Sequence, residues 1–426
     1  MKLQPPRGMR DFPPEEKLLR DEVLALLKDV FERYGFSPLE TPVVERWEVL
    51  SAKYAGGEEI LKETFRLKDR AGRDLALRYE LTTPLARFIG MHPTIKRPFK
   101  RYQIGPVFRN GPIKQGRYRE FYQCDVDTVG VRSPLADAEF VLLALDVFDR
   151  LGFRVEVRVN HRQLLKDLAA RAGVPPELQD TGILTVDKLE KIGREGVRRE
   201  LIEKGIAPES ADRWLDILNV EGSTEEALPA IEREVPESEG LRELKEMFAY
   251  LPPRPEIRFV PSLARGLAYY TGVIYEVYSL DPPFDSSVAA GGRWDDLIGN
   301  FLGSREKYPA VGISFGLEPI TELLKATRKE PPRKSVTRVY VAPIALQKEA
   351  LEVAQTLRRA GIPTDLDLGG KGISENLRYA NAYGIPYVLI LGPEEHRQGK
   401  VKLRDMRTGE EELLALEEAV ERLSRA

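Results

Sequence analysis

The segment from residue 108 to residue 127 carries side chains suited to binding a phosphate and an amino acid together. Three arginines lie on or beside a short loop that joins two strand-like stretches: Arg109, Arg117 and Arg119. Guanidinium groups bind phosphate and carboxylate oxygens through parallel hydrogen bonds. Strand alternation places Gln123, Asp125 and Asp127 on one face, where an amide and two carboxylates could receive an ammonium group. A solvated hairpin would explain any one of these arginines, but the whole string favours a binding site.

The same segment reads GRYREFYQCDVD from residue 116 to residue 127 and resembles motif 2 of the class II aminoacyl-tRNA synthetases, in its histidyl form. Three other segments are similar to signatures of the histidyl-tRNA synthetases and follow the family's order: RYELT at 78–82, LARGLAYYTG at 263–272 and AAGGRWD at 289–295. Similarity also covers GMRDF at 8–12, GIPY at 384–387 and RDMRTG at 404–409. The resemblance therefore spans most of the chain, except a stretch near residues 165–250.

The resemblance implies a two-step reaction, in which histidine and ATP form histidyl-adenylate and the histidyl group then moves to the 3′-terminal ribose of tRNA. Arg109 and Arg265 would be the catalytic arginines, because the first transition state concentrates negative charge on the α-phosphoryl oxygens. The amino-acid pocket that the family implies comprises Glu80, Leu81, Thr82, Arg109, Gln123, Asp127, Arg265, Tyr269 and Tyr270. Arg109 and Arg117 would bind ATP, and Mg²⁺ would bridge its phosphates, without a metal site made by the protein.

Within that pocket, the family assigns the α-ammonium group of histidine to Glu80, Thr82 and Gln123, and the imidazole ring to Asp127 and Tyr270. Each residue also has a plain structural interpretation when it is taken alone. The pair Tyr269 and Tyr270 could be core aromatics, and Glu80 could be a surface charge on a strand. The four matched segments together favour the functional interpretation.

Three positions depart from the family pattern. Pro319 follows Gly-Leu-Glu where motif 3 has an arginine that grips the ATP phosphates, although proline suits the first turn of a helix. Ala268 replaces an aspartate that would orient the neighbouring arginines, and Trp294 replaces a tyrosine, which removes a hydroxyl group. Two alternatives to a histidine–tRNA ligase therefore stay open: a histidine-binding regulator that resembles the regulatory subunit of ATP phosphoribosyltransferase, and an enzyme that adenylates another amino acid.

Hydrophobic periodicity predicts the elements that position these residues. We expect helices at 14–34, 136–150 and 319–327, hairpins at 63–82 and 99–128, and strands at 154–159, 256–260, 273–277 and 288–290. Residues 36–44 should be extended. The charged stretch near 165–250 shows helical spacing and no strong strand, and we interpret it as a helical insertion. The fold class is α+β, and the family implies an antiparallel sheet with flanking helices that forms a dimer through residues 14–44, with Pro42 at the interface.

After residue 330 the sequence pattern changes to an alternation of strands and helices, which predicts a second domain. Residues 331–335 are a polar, proline-containing linker candidate, which separates a catalytic core at 1–330 from a C-terminal α/β domain at 336–426. Strands at 339–343, 364–368 and 387–391 alternate with helices at 347–360 and 374–383, followed by a final helix at 411–423, which predicts a largely parallel sheet. The family would use this domain to bind the tRNA anticodon. Residues 371–407 contain seven Lys or Arg against four Asp or Glu, which permits that role.

Composition limits the class of protein. The 426 residues suggest two or three domains, and 42% hydrophobic with 31% charged residues is typical of a soluble globular chain. No apolar run approaches the ~20 residues that span a bilayer, and the amino terminus lacks the apolar segment of a secretory signal. A single cysteine, Cys124, excludes an intrachain disulfide and fits a cytoplasmic location. The net charge of −3 argues against a general nucleic-acid coat protein.

Overall fold

The computed structural model describes residues 3–51, 58–113, 118–220, 222–266, 269–281, 287–304, 306–328 and 332–425. The chain separates into two units, residues 1–10 with 23–328 and residues 11–22 with 329–426. Hydrophobic clusters of the first unit run from Val23 to Leu324, and those of the second run from Val339 to Leu423. Within the part of the chain described here, no helix is long and apolar enough to cross a bilayer.

Among the described residues, the first unit has eleven strands, eight of which form one large sheet. Its strands are β1 (Ser37–Pro38), β2 (Val44–Arg46), β3 (Arg66–Lys68), β4 (Asp74–Leu77), β5 (Phe99–Phe108), β6 (Glu120–Val129), β7 (Val155–His161), β8 (Ile257–Phe259), β9 (Val273–Ser279), β10 (Ala289–Arg293) and β11 (Ala310–Gly316). The large sheet has the order β1-β5-β6-β11-β10-β9-β7-β8, and β2-β4-β3 form a small separate sheet. All central neighbours are antiparallel, and only the edge pairs β1/β5 and β7/β8 are parallel. The predicted antiparallel sheet is confirmed.

Helices cover this sheet and form the insertion. They are α1 (Pro14–Arg33), α2 (Trp47–Leu50), α3 (Glu58–Glu63), α4 (Thr82–Met91), α5 (Pro134–Leu151), α6 (Arg162–Arg171), α7 (Pro176–Val186), α8 (Leu189–Glu203), α9 (Pro208–Leu218), α10 (Thr224–Glu234), α11 (Glu239–Tyr250), α12 (Leu297–Phe301) and α13 (Leu317–Thr327). The six consecutive helices α6 to α11 confirm the predicted helical insertion, which begins a few residues earlier than expected.

Helix α5 shows why the sequence folds as it does beside the sheet. The Ser133 hydroxyl accepts from the Leu135 N–H, Pro134 occupies the first turn, and Gly152 ends the helix at φ 77°. The apolar face of the helix points to the sheet, where the Phe148 ring lies 5.9 Å from Phe315 of β11. The capping signals and the apolar stripe agree, so the helix lies where the spacing predicted it.

Strand β11 is the main element of the first unit that the sequence pattern did not predict. It lies between β6 and β10, in the middle of the sheet. Its sequence AVGISFG has glycine at positions 312 and 316, which weakens the β signal of the surrounding residues. Both faces of the strand are largely covered, so its residues do not alternate between apolar and polar.

The second unit carries a five-stranded sheet. Its elements are β12 (Val339–Pro343), α14 (Gln347–Arg359), β13 (Thr364–Leu366), α15 (Ile373–Ala382), β14 (Tyr387–Leu391), α16 (Pro393–Arg397), β15 (Lys400–Asp405), β16 (Glu411–Ala415) and α17 (Leu416–Arg425). The order is β13-β12-β14-β15-β16. Strand β12 pairs in parallel with β13 and β14, whereas the β14/β15 and β15/β16 pairs are antiparallel. The sheet is therefore mixed, and the prediction of a largely parallel sheet was wrong for its last two strands.

The predicted helix at 411–423 was also wrong in its first turn. Residues Glu411–Ala415 form β16, and the helix begins at Leu416. Glu, Leu and Ala are good helix formers, which explains the prediction. Pairing with β15 overrides that local preference, because an edge strand gains backbone hydrogen bonds that the isolated segment cannot form.

Candidate functional site

A cavity of about 240 Å³ lies over the centre of the large sheet. Its wall contains residues of β6, β10 and β11, the segment just before α4, and the segment between β8 and β9. The predicted site residues on this wall are Glu80, Thr82, Arg109, Gln123, Asp127, Arg265, Tyr269 and Tyr270. The side chain of Leu81 is not on it, since it is fully buried in the core. Arg117 and Ala268 lie outside the described residues.

Two glycines form the floor of the cavity where three strands meet. A Cβ atom on Gly312 of β11 would lie 2.0 Å from Asp127 Oδ1 and 2.7 Å from the Val126 carbonyl oxygen. A Cβ atom on Gly291 of β10 would lie 2.1 Å from the Gly312 carbonyl oxygen. A side chain at 312 would meet the Asp127 carboxylate and one at 291 would meet the backbone of β11, so both glycines are required by close approach.

We expect Gly312→Ala to destabilise the protein by about 1–3 kcal/mol, the usual cost of overpacking. The same change should raise the KM for histidine in ATP–pyrophosphate exchange at least tenfold, because Asp127 must turn away from the added methyl group. Gly372→Ala is the matched control, since a Cβ there meets no atom within 4 Å. Thermal unfolding and exchange kinetics on both variants check this. Parent-like stability and KM in Gly312→Ala would contradict the assigned packing.

Asp125 and Asp127 are buried acids on the cavity wall. Burial raises the pKa of Asp125 to about 7 and that of Asp127 to about 6, although the guanidinium group of Arg101 opposes both changes. Arg101 of β5 is opposite Asp127 in the β5/β6 pair, and its Nη2 lies 2.8 Å from Asp127 Oδ2. Asp127 Oδ2 is thus held by an ion pair, whereas Asp125 Oδ1 has no hydrogen-bond partner among the described residues. Both carboxylates line the cavity, where they can accept a donor from a ligand.

Trp294 lies beside Asp127 and corrects one expectation drawn from the sequence. Its indole is buried, with 2% of the residue exposed, and its N–H donates to the Asp127 carboxylate, which favours the ionised acid. The replacement of tyrosine by tryptophan was expected to remove a hydrogen-bonding group from the pocket. The structure shows instead that the indole supplies a donor of its own.

Glu80 is buried and caps a helix. Strand β4 ends at Leu77 and α4 begins at Thr82, so the predicted hairpin at 63–82 ends earlier than expected and Glu80 is not on a strand. The Glu80 carboxylate accepts hydrogen bonds from the backbone N–H groups of Thr82 and, at 2.8 Å, of Thr83. The unpaired N–H groups at a helix start favour a carboxylate there. A carboxylate can accept about four hydrogen bonds, so Glu80 retains capacity for a ligand, and its interpretation as a surface charge was wrong.

Arg109 and Arg265 supply the positive charge of the cavity, and different contacts hold each guanidinium group in place. The Arg109 guanidinium lies 4.4 Å from the centre of the Tyr79 ring and 5.0 Å from that of Phe121. Its Nε donates to the Tyr79 carbonyl at 3.3 Å. Among the described residues it makes no ion pair, so its charge is available to an anionic ligand.

Arg265 is tied to a carboxylate of the sheet. Its Nη1 donates to Glu276 of β9, and the Tyr278 hydroxyl donates to the same carboxylate. The guanidinium lies 5.7 Å from the centre of the Tyr270 ring, and Tyr269 and Tyr270 pack with their ring centres 4.8 Å apart. The family pattern would orient this arginine with an aspartate at position 268, and Glu276 provides a carboxylate for it in this chain.

The helix that should lie beneath ATP begins at Leu317, which places Pro319 in its first turn. The Pro319 ring fills the space beside Gly316, where a Cβ would lie 2.6 Å from it. One turn further, Glu322 Oε1 is 3.7 Å from Arg10 Nη2. The Arg10 guanidinium also stacks over the Tyr118 ring at 4.3 Å. A cation therefore lies near the position where the family pattern has arginine.

Some residues of the site were missed in the sequence. Arg101, Glu276, Ser314 and Gly312 lie in no motif that the sequence revealed, whereas Gly291 lies in the AAGGRWD segment. The observed register of the β5/β6 hairpin places Arg101 opposite Asp127, one residue away from equal pairing of the predicted bounds 99–128. A charged residue on a buried strand face is nevertheless an informative exception. Ser314 accepts from the Gln123 amide at 3.2 Å, a contact across two strands that no local pattern reveals.

The cavity as a whole offers two arginines together with three carboxylates and an amide. Such a set can hold a molecule with an ammonium group at one part and developing negative charge at another. Among the described residues, no three His, Cys, Asp or Glu side chains are grouped to hold a metal ion.

Comparisons with known proteins agree with this chemistry. The family model described as histidyl-tRNA synthetase matches residues 8–320, and the one described as anticodon binding domain matches residues 338–426. Histidine–tRNA ligase 1 of Bacillus thuringiensis subsp. konkukian is 43% identical over 96% of this chain and 97% of its own length. Histidine–tRNA ligase of Aeropyrum pernix is 43% identical over 99% and 98%. The crystal structure of histidyl-tRNA synthetase from Nostoc sp. PCC 7120 superposes with a TM-score of 0.87, at 32% identity and coverage of 100% and 99%.

Proposed function

The chain belongs to the histidyl-tRNA synthetase family, and from this premise we propose that it activates histidine with ATP and transfers the histidyl group to tRNA. The observation that carries the proposal is the meeting of Arg109, Arg265 and Asp127 in one cavity of amino-acid size. Relatives that match nearly the whole length of the chain carry the name histidine–tRNA ligase. This favours the ligase over a histidine-binding regulator, whose family usually lacks the C-terminal domain.

In the first step, a carboxylate oxygen of histidine bonds to the α-phosphorus of ATP while the bond to the bridging oxygen of pyrophosphate breaks. We propose that Arg109 and Arg265 stabilise the charge on the α-phosphoryl oxygens. Fixed donors that need no reorganisation are most effective at such a centre. The ring stacking of Arg109 and the Glu276 contact of Arg265 hold both guanidinium groups before the ligand arrives.

We propose that the histidine substrate is recognised at both of its ends. Glu80, Thr82 and Gln123 would receive the α-ammonium group, and the buried capping carboxylate of Glu80 supports this. Asp127 and Tyr270 would bind the imidazole, supported by the place of both side chains on the cavity wall. An analogue without a ring nitrogen would leave that carboxylate unpaired, which is the strongest basis for rejection in a buried site.

ATP use follows from the family, whereas the residues that hold ATP are proposals. Arg109 and Arg117 would bind the phosphates. We propose that Mg²⁺ would be held mainly by the ATP phosphates and water, as is usual for this ion at nucleotide sites. When bound, the ion would neutralise phosphate charge, and no protein ligand is assigned to it here.

The remaining proposals concern the domain boundaries, the oligomeric state and the cellular location. We propose that residues 1–330 form the catalytic core, 331–335 the linker and 336–426 the anticodon-binding domain, supported by the separate hydrophobic clusters. Residue 331 lies outside the described residues. We also propose a homodimer that uses residues 14–44, and a cytoplasmic location, both in keeping with the family.

Charging of tRNA tests the function directly. The purified chain should attach radiolabelled histidine to a histidine-accepting tRNA in the presence of ATP and Mg²⁺. Omission of ATP should abolish the product. Binding of histidine without any charging would instead support the regulator, and charging with another amino acid would support the third alternative.

Position 319 offers a test of how ATP is held. We expect Pro319→Arg to tighten ATP binding about tenfold or more, since a hydrogen bond to a charged group contributes ~1.5–3 kcal/mol. Pro319→Gln is the matched control, because it removes the ring without adding charge. Calorimetry with ATP measures the affinity, and the melting temperature should hold, since the first helical turn does not need proline. Unchanged affinity would show that another cation, such as Arg10, already serves that phosphate.

A further inference from the structure

Arg101 is a fully buried arginine directly behind the proposed histidine pocket. None of its surface is exposed, and it is not part of the cavity wall. Taking a guanidinium group out of water is costly unless carboxylates surround it. The carboxylates that do so here are those that face the proposed substrate, which connects this residue with the pocket.

The contacts of Arg101 join two walls of the cavity. Its Nη2 lies 2.8 Å from Asp127 Oδ2 on β6. The same nitrogen donates to the Leu81 carbonyl at 3.2 Å. Leu81 stands between Glu80 and Thr82, which carry the proposed ammonium site. One side chain thus contacts both the strand that would bind imidazole and the segment that would bind the amine.

We propose that Arg101 is a positioning residue for histidine: its buried charge keeps Asp127 ionised and holds it at a fixed place relative to the Glu80 segment. The inference rests on the proposed function and adds a residue that does not touch the substrate. Glu80, Asp125 and Asp127 otherwise present three carboxylates at one small cavity, where like charges disfavour ionisation.

The electrostatic surroundings of Asp127 support this. Burial raises its pKa to about 6, Arg101 lowers it, and Glu80 raises it. Burial raises the pKa of Asp125 to about 7, Arg101 lowers it, and Asp127 and Glu80 raise it. Titratable groups whose charges act on one or both acids include Glu80 before α4, Arg78 after β4, Arg101 on β5 and Tyr275 on β9. Arg109 and Arg265 line the same cavity. The positive charge of Arg101 lowers the pKa of both acids, so its removal should leave both protonated near neutral pH.

The test is the pH dependence of histidine binding. Arg101→Met should raise the KM for histidine at pH 7 at least tenfold, with a smaller effect on kcat of exchange. The pH below which affinity declines should move upward by about one unit or more, because Asp127 must be ionised to bind. The substrate's own titration is the same for every variant, so it cancels in the comparison. Arg101→Lys keeps the charge and should retain the parent's pH dependence.

Arg162→Met is the matched control, since Arg162 is equally buried but pairs with Asp180 in the insertion. It should lose stability without a change in the pH dependence. If Arg101→Met does not fold, the double variant Arg101→Met/Asp125→Asn removes one charge of each sign. The pH below which its affinity for histidine declines should be higher than in the parent but lower than in a protein that lacks Arg101 alone.

A parent-like KM and pH dependence in folded Arg101→Met, or in the double variant, would overturn the proposal. So would a shift in Arg101→Lys as large as that in Arg101→Met, because the charge would then not be the cause. Absence of histidine-dependent exchange in the parent protein would instead overturn the proposed function, which keeps the two failures distinguishable.

Discussion

Replacing Arg265 with alanine should lower histidine-dependent ATP–pyrophosphate exchange by about 10²- to 10³-fold, the usual loss when one fixed donor to a developing oxyanion is removed. Arg265 lines the cavity and is held by Glu276. Its charge should act mainly in the transition state, so kcat should fall more than the affinity for histidine.

The fold should survive this change. The Glu276 carboxylate keeps the Tyr278 hydroxyl as a donor when Arg265 is gone, so no buried acid is left wholly without a partner. Arg258→Ala is the matched control, because Arg258 also pairs with a sheet carboxylate, Glu156 at 3.0 Å, away from the cavity wall. It should leave exchange unchanged. Exchange of Arg265→Ala within about tenfold of the parent, or ~1.4 kcal/mol, would contradict the assigned role.

Removing residues 336–426 should weaken tRNA binding by about 100-fold, or ~2.8 kcal/mol, and flatten its dependence on salt. Phosphate contacts made by Lys and Arg release counterions, so their loss reduces the salt slope. The hydrophobic clusters of this segment contain no residue before Val339. We therefore expect residues 336–426 to fold alone and to unfold cooperatively.

The truncated protein also supplies an internal control. Exchange with histidine needs no tRNA, and every residue of the cavity wall lies before residue 315. Exchange by residues 1–335 should therefore stay within about tenfold of the parent, while charging of tRNA is lost. Filter binding of tRNA at two salt concentrations measures the first effect. Unchanged affinity and slope would place the tRNA contacts elsewhere.

Much of the fold follows from local patterns in the sequence. The β5/β6 hairpin, helix α5 and the helical insertion were predicted because their spacing and caps agree with the final packing. Strand β11 was missed because both of its faces are covered and its glycines weaken the local signal. The first turn of the last predicted helix became β16, since pairing with β15 decides that segment.

The residues of the site likewise fall into those that a local sequence pattern reveals and those that it does not. Arg109, Gln123 and Asp127 could be found because they lie in one short string of the sequence. Arg101 and Glu276 could not, since their roles depend on the strand register and on side-chain contacts that no motif specifies. The hydrogen bond that the Trp294 N–H donates could not be predicted either. A substitution in a motif shows which group is lost, whereas the new contact depends on where the larger ring points.

The most direct measurement is ATP–pyrophosphate exchange by the unmodified chain with each of the twenty amino acids in turn. It requires adenylate formation but not tRNA, so it tests the cavity itself. We expect exchange with histidine, and exchange with every other amino acid at least 10³-fold weaker, because a site that binds a polar ring rejects side chains without its nitrogens. Exchange supported best by another amino acid, or none at all while histidine still binds, would contradict the assignment of this cavity as a histidine-activating site.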